Sequence, residues 1–127
     1  MPLVRIDLPK GKSAAFRKAV SEGVQAALIE TFNVPHDDLF QIISEHDPQT
    51  GIVHAPSYLG INYSDGLTLI QLTVSDTRTI DQKKLLFGTI VANLSHNPGL
   101  RPEDIFINLV EVKKENWSFG NGVAQYA

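Results

Sequence analysis

The chain contains no cysteine, which excludes disulfides, thiolate metal ligands and a thiol nucleophile. It has no basic run and no stripe of alternating basic and aromatic residues, and its net charge is −3. A nucleic-acid surface needs the opposite balance. No apolar run approaches the ~20 residues required to cross a bilayer. The opening Met1-Pro2-Leu3-Val4-Arg5 lacks the charged-then-apolar order of a secretory leader. The expectation is a cytoplasmic protein with no nucleic acid and no membrane as partner. The Asn-x-Ser triplets at Asn62 and Asn116 are then chance occurrences. What remains is 127 residues, 43% hydrophobic and 20% charged, a composition that argues for a packed core over disorder. Residues 1–127 are one domain's worth of chain.

Apolar spacing divides the chain into elements. Pro2 to Leu8 reads as a strand, with Val4, Ile6 and Leu8 on one face and Leu3, Arg5 and Asp7 on the other. Pro9-Lys10-Gly11 ends it. Ser13 is then the N-cap of a helix to about Phe32, carried by Phe16, Val20, Val24, Ala27 and Leu28. Asn33 and Pro35 stop the helix. Leu39 to Glu45 is a second strand, and Gly51 to Tyr63 a hairpin or irregular excursion. Leu67 to Val74 is a third strand. Thr79-Ile80-Asp81-Gln82 fits a capping box, opening a helix marked by Leu86, Ile90 and Leu94 and closed near Asn97-Pro98-Gly99. Ile105 to Val112 is a fourth strand, followed by an aromatic, turn-rich tail.

A shift of 66 residues brings Leu3 onto Leu69, Ala26 onto Ala92, Leu28 onto Leu94, Asp38 onto Asp104, Phe40 onto Phe106 and Glu45 onto Glu111. The same shift aligns the caps Ser13 and Thr79. One constant offset through strand, helix, turn and strand implies two fused β-α-β units, about 2–46 and 68–112. Strands joined through a helix pair in parallel by a right-handed crossover. The expected product is an α/β (α+β) fold, a four-stranded mixed sheet with both helices on one face. The other face, with Leu3, Leu69, Arg5 and Gln71, is too apolar to stay wet and should meet further subunits.

Few residues suggest chemistry. Gly11-Lys12-Ser13 resembles the end of a phosphate loop, but the required earlier glycine is Ile6. Gly120-Asn121-Gly122 lacks the strand-helix context of a dinucleotide site. His36, His46, His54 and His96 show no i,i+4 pair and no acidic partner at ligand spacing, so no metal site is expected. Pro2 stands out. Removal of an initiator Met before a small residue would leave a secondary amine, and an α-amino group has a reference pKa of about 7.7–8.0. Such a group can carry a proton in either direction. The alternative is that Pro2 only opens the strand, where its missing N–H costs nothing. Arg78 precedes the Thr79 cap, at the positive end of a helix, where a cation is disfavoured. It could receive a carboxylate together with the free helix N–H groups, or pair locally with Asp76. Lys12 holds the equivalent place in the first half. Asp38 either acts near such a site or forms a turn that Asp104 repeats. Trp117 and Phe119 could wall a pocket or pack the tail on a neighbouring subunit.

Together, Met1-Pro2-Leu3, Val34-Pro35-x-x-Asp38-x-Phe40-Gln41, Arg78 before Gln82-Lys83, and Asn116-Trp117-Ser118-Phe119-Gly120-x-Gly122-x-Ala124-Gln125 resemble the tautomerase superfamily, in particular its malonate semialdehyde decarboxylase-like branch. The resemblance spans nearly the whole chain. It implies a homotrimer without cofactors, with Pro2 as catalytic amine and Asp38 assisting proton or water handling. It implies further that Arg78 binds the carboxylate or carbonyl of a small 2-oxo or 3-oxo acid, and that Trp117 and Phe119 form an apolar wall. Asp76 stands where the decarboxylase pattern often has a first arginine. This reversal of charge weighs against decarboxylation and less against enol–keto proton transfer. Three readings follow: a tautomerase, a malonate semialdehyde-type decarboxylase or hydratase, and a non-catalytic ligand-binding trimer.

Overall fold

The computed structural model describes residues 1–127. Strand β1 (Leu3–Pro9) leads through a tight turn into helix α1 (Ala14–Phe32), and strand β2 (Gln41–His46) returns beside β1. A small hairpin, β3 (Ser57–Tyr58) and β4 (Ile61–Asn62), fills the excursion between the halves. Strand β5 (Thr68–Ser75), helix α2 (Ile80–His96) and strand β6 (Ile105–Val112) then repeat the first pattern. The four long strands form one sheet in the order β2-β1-β5-β6. β1 is parallel to β2, β5 is parallel to β6, and the central pair β1–β5 is antiparallel.

The register carries the duplication. Val4 lies opposite Gln41, and Ile70 opposite Ile107, the same pair displaced by one repeat. Arg5 faces Gln71 across the central antiparallel pair, so the local twofold passes between two residues that the repeat itself relates.

Both helices begin where their caps predict. The Ser13 hydroxyl accepts from the Phe16 N–H at 3.0 Å. Thr79 accepts from the Gln82 N–H at 3.1 Å while Gln82 Oε1 accepts from the Thr79 N–H at 3.0 Å. These bonds occupy donors that a helix start leaves unpaired. Asn33 closes α1 in the left-handed region at φ 55°, a conformation that Asn tolerates better than most residues. Val4, Ile6 and Leu8 of β1 and Ile70, Leu72 and Val74 of β5 form the core with Val20, Val24 and Leu28 of α1 and Leu86, Ile90 and Leu94 of α2. The helices approach closely at Gly23, where an added Cβ would lie 2.7 Å from Leu94 Cδ2.

The second strand starts later than the sequence expectation. β2 begins at Gln41 rather than Leu39. Leu39 and Phe40 are apolar but about half exposed, so apolar character there does not mark a buried strand; only the Phe40 carbonyl joins the sheet, accepting from the Val4 N–H at 3.0 Å. The segment Gly51 to Tyr63 contains the β3–β4 hairpin, in keeping with its expected hairpin or irregular excursion. No helix is long and apolar enough to cross a membrane.

Candidate active site

The site is built by four segments: the start of β1, the α1–β2 connection, the β5–α2 connection and the tail after β6. A cavity of about 420 Å³ opens there, lined among others by Met1, Pro2, Asp38, Ser75, Arg78 and Lys114. A second cavity of about 290 Å³ adjoins it, lined by Asp37, Phe40 and Phe119 together with Met1, Pro35, Asp38 and Tyr126, which line both. Of the five residues singled out from sequence, the structure brings Pro2, Asp38 and Arg78 to one cavity. Phe119 lines the neighbouring one.

Trp117 lines neither cavity. Its indole N–H donates to Ser75 Oγ at 3.1 Å, and its ring stacks on Phe119 with centroids 5.5 Å apart. The expected wall is therefore Phe119 backed by Trp117, with the edge of Tyr126 against Phe119 at 5.2 Å. The tail holds this arrangement through the Gln125 amide, which accepts from the Phe119 N–H at 3.0 Å and donates to the Gly120 carbonyl at 3.2 Å.

Asp38 is buried at 8% exposure. Its backbone is fixed: the N–H donates to the Pro35 carbonyl at 3.1 Å, and the carbonyl accepts from Gln25 Nε2 at 3.1 Å. The Met1 ammonium lies 2.8 Å from Oδ2, and that oxygen has no other partner. Its counterpart in the second half, Asp104, is engaged quite differently. It accepts from the Ser64 N–H at 2.8 Å, from the Ser64 hydroxyl, and from Arg101 at 3.1 Å. The repeat thus supplied one carboxylate at each end of the sheet. One is saturated by Arg101 and by Ser64 of the connection between the halves, and the other faces a cavity and the Met1 ammonium.

Arg78 explains its own unfavourable placement. Its guanidinium leaves the α2 N-terminus and donates from Nη2 to the Phe32 carbonyl at 2.7 Å. Phe32 is the last residue of α1, where unpaired carbonyls make a cation favourable. The guanidinium also lies 4.8 Å from the centroid of the Phe32 ring and donates from Nη1 to the Thr77 hydroxyl. Two of the five N–H donors of an arginine are thereby used, which leaves three for a ligand. Asp76 forms no ion pair with Arg78; it is exposed and lies outside the cavity lining. The pairing of Arg78 with Asp76 that sequence left open is absent: Asp76 lies exposed just past the end of β5, and the Arg78 guanidinium is engaged by Phe32 and Thr77 instead.

Tyr126, Lys114, Phe32 and Thr77 also line the main cavity and were not found by sequence reasoning. The tail carries no periodicity that would bring Tyr126 back to Pro2; only its aromatic character was a signal. The Tyr126 hydroxyl lies 3.0 Å from the Met1 sulfur. Elsewhere, His46 Nε2 lies 2.6 Å from Asp7 Oδ1, a partner that sequence spacing does not reveal.

Known proteins similar to this chain point to one family. Two family profiles, each described as tautomerase enzyme, match residues 38–120 and residues 2–57. The chain is 38% identical over 125 residues to "Probable tautomerase YusQ" of Bacillus subtilis (strain 168), covering 98% of each. It is 30% identical to "Probable tautomerase YrdN" of the same organism, covering 99% of this chain and 96% of the relative. Among solved structures, FG41 malonate semialdehyde decarboxylase inhibited by 3-bromopropiolate is similar at 36% identity with a TM-score of 0.90, over 98% of this chain and 93% of that one. The chain belongs to the tautomerase family, and its four-stranded mixed sheet and two helices are the fold of a tautomerase-like enzyme.

Proposed function

We propose that the protein catalyses enol–keto proton transfer on a small 2-oxo acid, with Pro2 as amino-terminal base and acid once Met1 has been removed. The observation that carries this reading is the meeting of Pro2, Asp38 and Arg78 in one cavity. Asp38 already attracts a terminal ammonium, that of Met1, at 2.8 Å. In a chain beginning at Pro2, the proline nitrogen is the terminal amine and Asp38 is the carboxylate beside it. Arg78 holds the substrate carboxylate. The Pro2 nitrogen takes the enol O–H proton; the O–H electrons form the C=O bond, and the C=C electrons collect the proton at C3 from the proline ammonium. The amine is regenerated, so no cofactor is consumed.

Ketonisation of phenylenolpyruvate in D₂O tests this. Enzyme starting at Pro2 is expected to exceed the buffer rate and to place deuterium on one face of C3. A rate equal to buffer, or a racemic product, would overturn the reading. Decarboxylation of a 3-oxo acid is the second reading. It is favoured by the 36% identity to malonate semialdehyde decarboxylase, and by Asp76 standing outside the cavity, which removes the charge argument against it. Release of CO₂ from malonate semialdehyde faster than phenylenolpyruvate turnover would put it first.

We read the working form as a homotrimer. On the sheet face away from the helices, Phe106 is 45% exposed and Ile42 42% exposed, and Tyr58, Leu59 and Ile61 of the hairpin are exposed nearby. An apolar surface of this kind marks an interface. Sedimentation equilibrium at micromolar concentration is expected to give three times the 14.0 kDa chain mass; a stable monomer would contradict it.

A further inference from the structure

We infer that Lys114 is the second cation of the carboxylate receptor, acting with Arg78. The inference rests on the oxo-acid reading above only in taking the ligand to be a carboxylate. Lys114 lines the same cavity as Pro2, Asp38 and Arg78. Unlike Lys18 and Lys83, which lie within 4.0 Å of Glu22 and Glu111 respectively, it has no acidic partner. The charged groups around the cavity are then Arg78, Lys114 and the chain terminus on the positive side, and Asp38 alone on the negative. Once the terminus pairs with Asp38, two cations remain for a ligand.

The residue is also held where it can act. Lys114 opens a short 3₁₀ turn, Lys114–Asn116, directly after β6. The Trp117 N–H donates back to the Lys114 carbonyl at 3.4 Å, and the Trp117 indole is pinned to Ser75 of β5 at 3.1 Å. Ser75 itself lines the cavity. Trp117 therefore fixes the turn that presents Lys114, as a positioning residue that need not touch the ligand. Position 76, where the resemblance leads one to seek a second cation, holds an exposed aspartate outside the cavity. The positive charge enters instead from the far side, on the β6 connection.

The test uses 3-phenylpropionate, an unreactive carboxylate, with the neutral 3-phenylpropanamide as control, in protein starting at Pro2 and studied by calorimetry at low salt. Lys114→Gln is expected to weaken the acid by about fivefold, the scale of a partly exposed charge pair, and to leave the amide unchanged. Lys114→Arg should restore the acid, and the difference should shrink as salt rises. Trp117→Phe keeps the stacked ring but loses the Ser75 anchor, and should lose part of the same acid-over-amide preference. Equal binding of the acid by wild type and Lys114→Gln, equal losses for acid and amide, or no binding of the acid by wild type would each overturn the inference. Absence of turnover alongside the expected binding pattern would instead overturn the proposed reaction and leave the receptor intact.

Discussion

Pro2→Ala, in chains whose Met1 has been removed, is expected to lower kcat for phenylenolpyruvate by about 10²-fold or more, within the range that a positioned acid–base group contributes. Alanine is small enough for Met1 removal to proceed, so the variant also starts with a free amine. What changes is the base: a primary amine free to rotate about N–Cα replaces a secondary amine held in the pyrrolidine ring. Residual activity through that primary amine is expected, and KM should move less than kcat because Arg78 is untouched. The fold should survive, since Pro2 precedes β1 and provides no N–H to the ladder. Turnover near wild type would mean that the proline ring nitrogen does not carry the proton.

Arg78→Ala should cost about ten- to a hundredfold or more in kcat/KM, since a hydrogen bond to a charged group contributes roughly 1.5–3 kcal/mol. Both kcat and KM should worsen, because the carboxylate fixes where the reacting carbon sits. Arg78→Lys should rescue only part. A lysine is a point charge without the planar fork, and it cannot at once donate to the Phe32 carbonyl and present paired donors to the ligand. Arg78 also neutralises the end of α1 through Phe32, so Arg78→Ala should lower stability by about 0.3–1 kcal/mol. Urea unfolding measured beside the kinetics separates the two effects. Wild-type kcat/KM in folded Arg78→Ala would leave Arg78 with the helix-end role alone.

Much of the fold was legible because local and repeated signals agreed. Ser13 and Thr79 have the side chains that helix starts demand, and both cap as expected. The constant offset between the halves predicted parallel pairing within each, and Val4↔Gln41 and Ile70↔Ile107 realise it. Leu39 and Phe40 misled because apolar residues are read as buried, whereas these stay half exposed beside the second cavity and the open sheet edge. The meeting of Pro2, Asp38 and Arg78 in one cavity was legible through chemistry and resemblance. Their partners were not. The Phe32 carbonyl that holds Arg78, the Ser64 groups that saturate Asp104 and the return of Tyr126 to Met1 are long-range contacts, which leave no period in the sequence. Asp76 shows the opposite error: nearness in sequence suggested a pair with Arg78, whereas Asp76 lies exposed beyond the end of β5 and the Arg78 guanidinium is taken by Phe32 and Thr77.

The central claim is that the proline nitrogen must be a free amine. While Met1 is attached, that nitrogen is an amide without a basic lone pair, the Met1 ammonium lies 2.8 Å from Asp38, and Met1 lines both cavities. The most direct measurement is intact mass and phenylenolpyruvate turnover on the same preparations, spanning full retention to full removal of Met1. Turnover is predicted to rise in proportion to the fraction of chains beginning at Pro2 and to vanish when every chain keeps Met1. Undiminished turnover in protein shown by mass to retain Met1 throughout would contradict the account.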